Sequence, residues 1–371
     1  MMKKQFCILS LILLLSAPFS ASTQNLREGL EHLFTPVRNY VIYQAAEPIV
    51  VDGKPDEAAW SKASWTAEFV DIEGDLKPKP LHRTRVKMLW DANNLYVFAE
   101  LEEPHVWAYY DTNDMIVYHE NDFEVFIDPD GNAHDYFEFE VNARNTLFDL
   151  FMPRPYRDGA RPLVIYNAPG FESAIAIDGT LNDASDRDKK WTVEMKIPFS
   201  DLRSGVESEV PEQGEHWRIN FSRVQWKTDV VDGRYVRRKN PDTGRPLPEY
   251  NWVWSAPGII SMHAPERYGI VQFSTQPVGT TTDDFQPEKH EQLRQYAWLI
   301  YYRQKNYQRE HGRYADNLQQ LDLNDRFTLD GNEPAKLELE ASKWQFTVRL
   351  TAADGTSFTI NDVGLFKTNQ K

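Results

Sequence analysis

Residues 123–143, FEVFIDPDGNAHDYFEFEVNA, alternate apolar and polar side chains on both sides of one acidic, glycine-bearing turn. A period of two is the mark of a half-buried strand, and two such runs around a tight turn make a hairpin. Phe123, Val125, Ile127, Phe137, Phe139 and Val141 then form one face, the core face. Glu124, Phe126, Tyr136, Glu138, Glu140 and Asn142 share the other. That outer face has four readings: a solvated sheet surface, a catalytic carboxylate pair, a metal loop, or the floor of a sugar-binding site.

The same period recurs from about Tyr40 to Ser274. RVKMLWD (85–91) and NLYVFAELEE (94–103) alternate on either side of the turn residues DANN, and WTVEMKIP (191–198) alternates until Pro198 ends it. HWRINFSRVQW (216–226) begins in the same way and shifts at Ser222-Arg223, which predicts a bulge. PERYGIVQF (265–273) closes the series, and PDEAAWSKA (55–63) is the one short helix. Strands without long helices between them predict a mainly β chain, with an antiparallel β-sandwich over residues 40–274. Residues 275–286, TQPVGTTTDDFQ, read as a linker. Pro287 then opens a helix with Leu293, Tyr296, Ala297, Ile300, Tyr301 and Tyr307 near helical spacing, ended by Gly312. Strands follow at Lys336–Glu340, Trp344–Leu350 and Ser357–Ile360, so residues 287–371 read as a small α+β unit whose aromatic stripe is its core.

The first 22 residues carry Lys3 and Lys4, an apolar run from Phe6 to Leu15, and small residues at Ser20-Ala21-Ser22. This is the pattern of a cleaved secretory signal peptide, which leaves residues 23–39 as a lead into the sandwich and predicts a secreted or periplasmic protein. The sole cysteine, Cys7, lies inside the apolar run and is wrongly flanked for a lipoprotein box, so the mature chain has no thiol. No other run is long and apolar enough for a membrane span. With 41 Lys and Arg against 56 Asp and Glu, the chain lacks the basic surface that nucleic acid requires. Aromatic residues make up 13% of it, which supplies sheet cores and stacking platforms alike.

Five segments in order carry a resemblance: VDGKPDEAAWSKA (51–63), TRVKMLWDANNLYVFAELEEPHVWA (84–108), NDFEVFIDPDGNAHDYFEFEVNA (121–143), WTVEMKIPFSDL (191–202) with WRINFSRVQW, and PERYGIVQF. Over roughly residues 48–274 the chain resembles the family 9 carbohydrate-binding modules and their relatives among the DOMON-type β-sandwiches. The resemblance implies a non-catalytic module that grips a terminal sugar between two aromatic rings, with carboxylate, amide and Arg side chains on its hydroxyls. The first aromatic position falls at Tyr118 and the second near Met262, beside His263; no Trp stands at either. The polar positions fall at Glu124, Glu140 and Asn142, with Glu140 where the modules tend to carry Arg, and Arg223 or Arg144 as the available guanidinium.

Trp226, Trp252 and Trp254 flank a charged insertion and read as packing beneath it, with a ligand platform as the other reading. Asp128, Asp130 and Asn132 alternate around Gly131 as a calcium loop begins, but the distal Glu of such a loop is missing, and a plain hairpin turn is the first reading. The resemblance implies calcium as a structural ligand, which keeps it as a candidate cofactor there, with Asp52 and Asp56 as second ligand candidates. Paired acids also suit glycoside hydrolysis, for which Glu124 and Glu140 lie on adjacent strands. A haem-binding sandwich would need axial ligands such as Met262, His263 or Met88. The expectation is an exported, non-catalytic protein that binds an oligosaccharide or polysaccharide.

Overall fold

The computed structural model describes residues 27–202, 210–329 and 333–369; the expected signal peptide, residues 1–22, lies outside them. The strands and helices run in order as β1 (Asn39–Gln44), α1 (Ala58–Lys62), β2 (Val70–Asp71), β3 (Thr84–Trp90), β4 (Asn94–Glu102), β5 (Asp122–Asp128), β6 (Tyr136–Asn142) and β7 (Leu147–Met152). Then come β8 (Glu172–Asp178), β9 (Lys190–Pro198), β10 (His216–Gln225), β11 (Thr228–Val231), β12 (Arg234–Arg237), β13 (Tyr250–Val253) and β14 (Gly269–Pro277). The C-terminal part holds α2 (Glu291–His311) and β15 (Arg326–Thr328), β16 (Pro334–Ala341), β17 (Phe346–Ala352), β18 (Ser357–Asn361) and β19 (Phe366–Asn369).

A continuous hydrogen-bonded path β7-β6-β5-β10-β14-β1-β3-β4-β9-β8 curls so that its two halves pack face to face. The core between them is built from alternate residues: Val86, Met88 and Trp90 on β3, Val97 and Ala99 on β4, Phe123, Val125 and Ile127 on β5, Phe137 and Phe139 on β6, and Val193 and Met195 on β9. A period of two can bury a whole face only if the register holds, and β5 and β6 keep theirs from Asp122↔Asn142 to Ile127↔Phe137. β1 joins the halves by pairing in parallel with both β14 and β3, so the sandwich is not wholly antiparallel.

The expected bulge at Ser222-Arg223 is absent. β10 runs in unbroken register against β5 from Arg218 to Val224. What changes there is the partner on its other edge, from β14 (His216–Ile219) to β13 (Ser222–Gln225). Alternation therefore continues, and Trp217, Ile219 and Phe221 bring Arg223 onto the same inward face.

The C-terminal unit is a five-stranded meander, β15-β16-β17-β18-β19, against which α2 packs Leu293, Ala297, Trp298, Ile300 and Tyr301. Two strands beyond the expected three, β15 and β19, flank it. α2 begins at Glu291, not at Pro287, because His290 holds a left-handed backbone (φ 65°) and Glu288 is drawn to Arg218 at 2.9 Å. The expected linker is stitched to the sandwich: β14 continues to Pro277, Val278 is buried, Gln286 donates its N–H to Gln272 Oε1, and Phe285 stacks on His216. Among the described residues, no helix is long and apolar enough to cross a membrane.

Candidate functional site

On the outer face of the β6-β5-β10 sheet lies a cavity of about 530 Å³. Its floor is Glu124 and Phe126 of β5, Glu138 and Glu140 of β6, and Val224 of β10. Of the four readings of this face, the solvated surface does not hold: the face is covered, and Asp122, Glu124, Glu138 and Glu140 are all buried. The cover comes from the segments between β4 and β5, after β7, and before β14. Small apolar clusters pin it down, Val117 with Tyr136 and Phe148 on one side, Met262 with Phe126 and Tyr268 on the other. Glu249 of the long insertion completes the wall.

Burial disfavours a carboxylate because the charged form loses its hydration. It pushes Glu124 up to about 7, and it raises Asp122, Glu138 and Glu140 well above the usual range, helped by the negative charge of their neighbours. His263, 2.9 Å from the Tyr136 hydroxyl through Nδ1, is pushed down to about 4 by burial and by the charge of Arg157.

The mouth is apolar. Tyr118 is 40% exposed and Tyr156 47% exposed, and Ile116, Val164 and Ile260 beside them are exposed as well. Tyr118 is held by Trp226, whose indole N–H donates to its carbonyl at 2.9 Å. Tyr156 packs edge-on against His263 with ring centroids 4.4 Å apart. Exposed apolar side chains gathered around a polar floor suit a ligand with apolar faces and hydroxyl edges.

Of the expected site residues, the cavity brings together Tyr118, Glu124, Glu140, Met262 and His263. It leaves out three. Arg223 faces inward at the sandwich end, buried, bound to Glu103 at 2.9 Å and to Gln225 at 2.7 Å. Parity along β10 puts it there, opposite in direction to Ser222. Trp254 is 1% exposed in the inter-sheet core, where Gly269 leaves room for its ring; a Cβ at Gly269 would lie 2.3 Å from it. Asn142 shares the face of Glu140 but spends its amide on the chain: Nδ2 donates to Tyr110 O and Glu120 Oε2, and Oδ1 accepts from the N–H groups of Arg144 and Thr146. It shapes the cover and has no donor left for a ligand. Arg144, the other guanidinium candidate, lies 3.8 Å from Asp111.

The turn Asp128-Asp130-Asn132 makes bonds of its own, and Asp128 Oδ1 is buried without a hydrogen-bond partner. Asp128 Oδ2 accepts from Ala133 N–H, and Asp130 Oδ1 from Asn132 N–H. The cation that faces it is Arg294, whose Nη1 donates to Gly131 O at 2.7 Å, and Asn132 O accepts from Phe366 N–H. The expected calcium loop is thus the surface on which the C-terminal unit docks. At the other calcium candidates, Asp52 accepts from Lys54 N–H, while the Asp52 and Gly53 N–H groups donate to Glu194. Met88 lies in the core, away from Met262 and His263, so the axial pair of a haem site is not assembled. Sequence reasoning missed Tyr156, Asp122 and the apolar rim; Tyr156 sits in the aperiodic stretch PRPYRDG, where only an unshielded aromatic between turn residues marked it.

Residues 51–224 match the family described as "Carbohydrate family 9 binding domain-like". No curated protein matches the chain. Among solved structures, a protein of Bacteroides uniformis ATCC 8492 is 15% identical, the match covering 64% of this chain and 100% of that one at a TM-score of 0.46. A family 9 carbohydrate-binding module of Caldicellulosiruptor kristjanssonii, solved with cellotriose and with glucose, is 16% identical over 67% of this chain and 100% of its own, at a TM-score of 0.39. At this level of similarity no residue-to-residue correspondence follows.

Proposed function

Because residues 51–224 match the family described as carbohydrate family 9 binding domain-like, we propose that the chain is an exported glycan-binding protein that holds the end of an oligosaccharide or polysaccharide in the cavity over β5, β6 and β10, and does not cut it. The observation that carries this reading is the pairing of an acidic floor with the exposed rings of Tyr118 and Tyr156 at the mouth. A pyranose offers apolar C–H faces to the rings and hydroxyls to the carboxyls. The wall of covering segments around the cavity suits a chain end better than a chain passing through.

Hydrolysis fits the geometry less well. A glycosidase sets its two carboxyls on either side of the scissile bond. Glu124 and Glu140 are instead cross-strand neighbours in one floor, on the same side of any sugar above them. Their raised affinity for protons follows first from burial, to which the charges of Glu138, Glu124 and Asp122 add at Glu140.

Calorimetry of the full mature protein with oligosaccharides of intact and reduced ends tests the reading. Saturable binding to intact ends that Tyr118→Ala weakens supports it. Release of reducing sugar that Glu124→Gln abolishes would replace it with an enzyme. Export rests on the N-terminal pattern, and the mass of material recovered outside the cytoplasm, beginning near Thr23, checks it.

A further inference from the structure

Several buried acids elsewhere in the molecule sit against bases: Glu103 meets Arg223 at 2.9 Å, Glu266 meets Arg157 at 2.8 Å, and Asp158 meets Lys305 at 2.8 Å. Others accept from N–H groups, as Glu194 does from Trp60, Asp52 and Gly53 and Glu120 does from Tyr109 and Tyr110. The four acids of the cavity floor have little of either: the one N–H bond to them among the described residues runs from Val224 to Asp122 Oδ1. Among the described residues, no Lys or Arg pairs with Asp122, Glu124, Glu138 or Glu140, and the nearest basic group to Glu138 is His263 Nε2 at 3.9 Å. Asp122, Glu124 and Glu140 each bring a carboxylate oxygen within 4.8 Å of the other two. Beside them the Ser222 hydroxyl, next to Glu124 across the β5–β10 register and fully buried, has no hydrogen-bond partner. Nor do Asp122 Oδ2, Glu138 Oε2 and Glu140 Oε2.

We propose that Asp122, Glu124 and Glu140 bind a divalent cation, with Glu138 and Ser222 as neighbouring oxygen donors. An orphaned buried carboxylate or hydroxyl costs the fold its full desolvation penalty unless a partner arrives. One small cation converging with three carboxylates removes both the repulsion and the unmet acceptors. The donors are all oxygen, which selects a hard ion and disfavours zinc, whose sites use imidazole and thiolate. Calcium suits the place better than magnesium. It accepts irregular sets of six to eight oxygens, whereas magnesium needs a near-octahedral shell and gives up water reluctantly. Because Glu124 and Glu140 also line the cavity, the ion would sit directly beneath it, with its outer side toward the space a sugar would fill.

The site stands on the floor geometry alone, so it is tested without sugar. The full mature protein, stripped with chelator, is titrated at pH 7.5 with calcium, magnesium and manganese chloride by calorimetry and thermal melting. We expect one calcium per chain and a raised melting temperature, with affinity reduced at least tenfold in Asp122→Asn and Glu140→Gln and unchanged in Asp130→Asn. A manganese-soaked crystal should show its anomalous peak among the three carboxylates, which locates the ion even if a variant fails to fold. No response to any of the three cations, or a peak at another place such as the Asp128-Asn132 turn, overturns the proposal.

Discussion

Glu124 and Glu140 stand directly opposite each other across the β5–β6 pair, both turned away from the core and both buried. Like charges directly opposite on a sheet repel, and burial strengthens the repulsion. Glu124 is pushed up to about 7, so between the usual carboxylate range and pH 7 the fold binds more protons than the unfolded chain. The stability of cation-free protein should then fall as pH rises through that window, by on the order of a few kcal/mol. Urea unfolding in chelator at pH 5 and pH 8 checks this, with the higher midpoint expected at pH 5. Glu124→Gln should flatten the slope; a midpoint that rises with pH would contradict it.

Glu288 acts in the opposite direction. Burial would raise it, but the Arg218 guanidinium 2.9 Å away, with Arg294 and His216 nearby, holds it well below the usual carboxylate range. A depressed acid stabilises the fold above its unfolded value and loses that contribution as pH falls through the folded one. Contacts between the C-terminal unit and the sandwich should therefore loosen in acid, below about pH 4, read as faster proteolysis between residues 278 and 290. Equal cleavage at pH 3.5 and pH 6 with an acid-tolerant protease would count against this.

Tyr118 and Tyr156 are surface rings on short 3-10 turns, so removing either should leave the melting temperature nearly unchanged. Each truncation to Ala should raise the dissociation constant for a bound oligosaccharide about 5- to 30-fold, the equivalent of about 1–2 kcal/mol of lost aromatic contact. Trp254→Ala is the contrast. It empties a space in the core and should cost about 3–5 kcal/mol of stability, affecting binding only through unfolding.

The inward faces were legible because alternation reports parity, and Phe123, Val125, Phe137 and Phe139 bury as their spacing requires. The outer face was not, since parity says which way Glu124 points and nothing about what folds over it. Residues 107–120 and 256–264 are aperiodic, and only their tertiary contacts turn a solvated face into a lined cavity. Arg223 shows a different failure. Its position follows from counting on from Trp217, Ile219 and Phe221, but the polar pair Ser222-Arg223 suggested a bulge and reversed its direction. Asn142 is on the expected face, yet its hydrogen bonds go to Tyr110 and Glu120, which are distant in sequence. At the DPDGN turn a guanidinium is drawn in as well, but it binds the Gly131 carbonyl, a contact that no spacing of Asp128, Asp130 and Asn132 could announce.

That guanidinium belongs to a cluster through which the C-terminal unit is held. Arg218 on β10 is 2% exposed and reaches Glu288 at 2.9 Å and Glu291 at 2.8 Å, while Arg294 beside it reaches the β5–β6 turn. Tyr301 and Lys305 of α2 bind Asp158, and Tyr302 binds Glu266, so polar contacts run along one whole side of the helix. Removing one partner of a buried pair leaves the others as unpaired charges, which typically costs 3–5 kcal/mol. Arg294 is 3.7 Å from Glu288 and offsets part of this, so Arg218→Gln should lose about 2–4 kcal/mol. The larger effect should be on cooperativity. With the clamp intact, sandwich and C-terminal unit share buried contacts and should unfold in one transition. In Arg218→Gln the C-terminal unit should open first, giving two resolved steps in calorimetry and early protection loss in hydrogen exchange across α2 while β5 and β6 stay protected. A single transition in the variant, shifted but undivided, would mean that the apolar contacts around Leu30, Leu33 and Ala133 hold the two parts together without the charges.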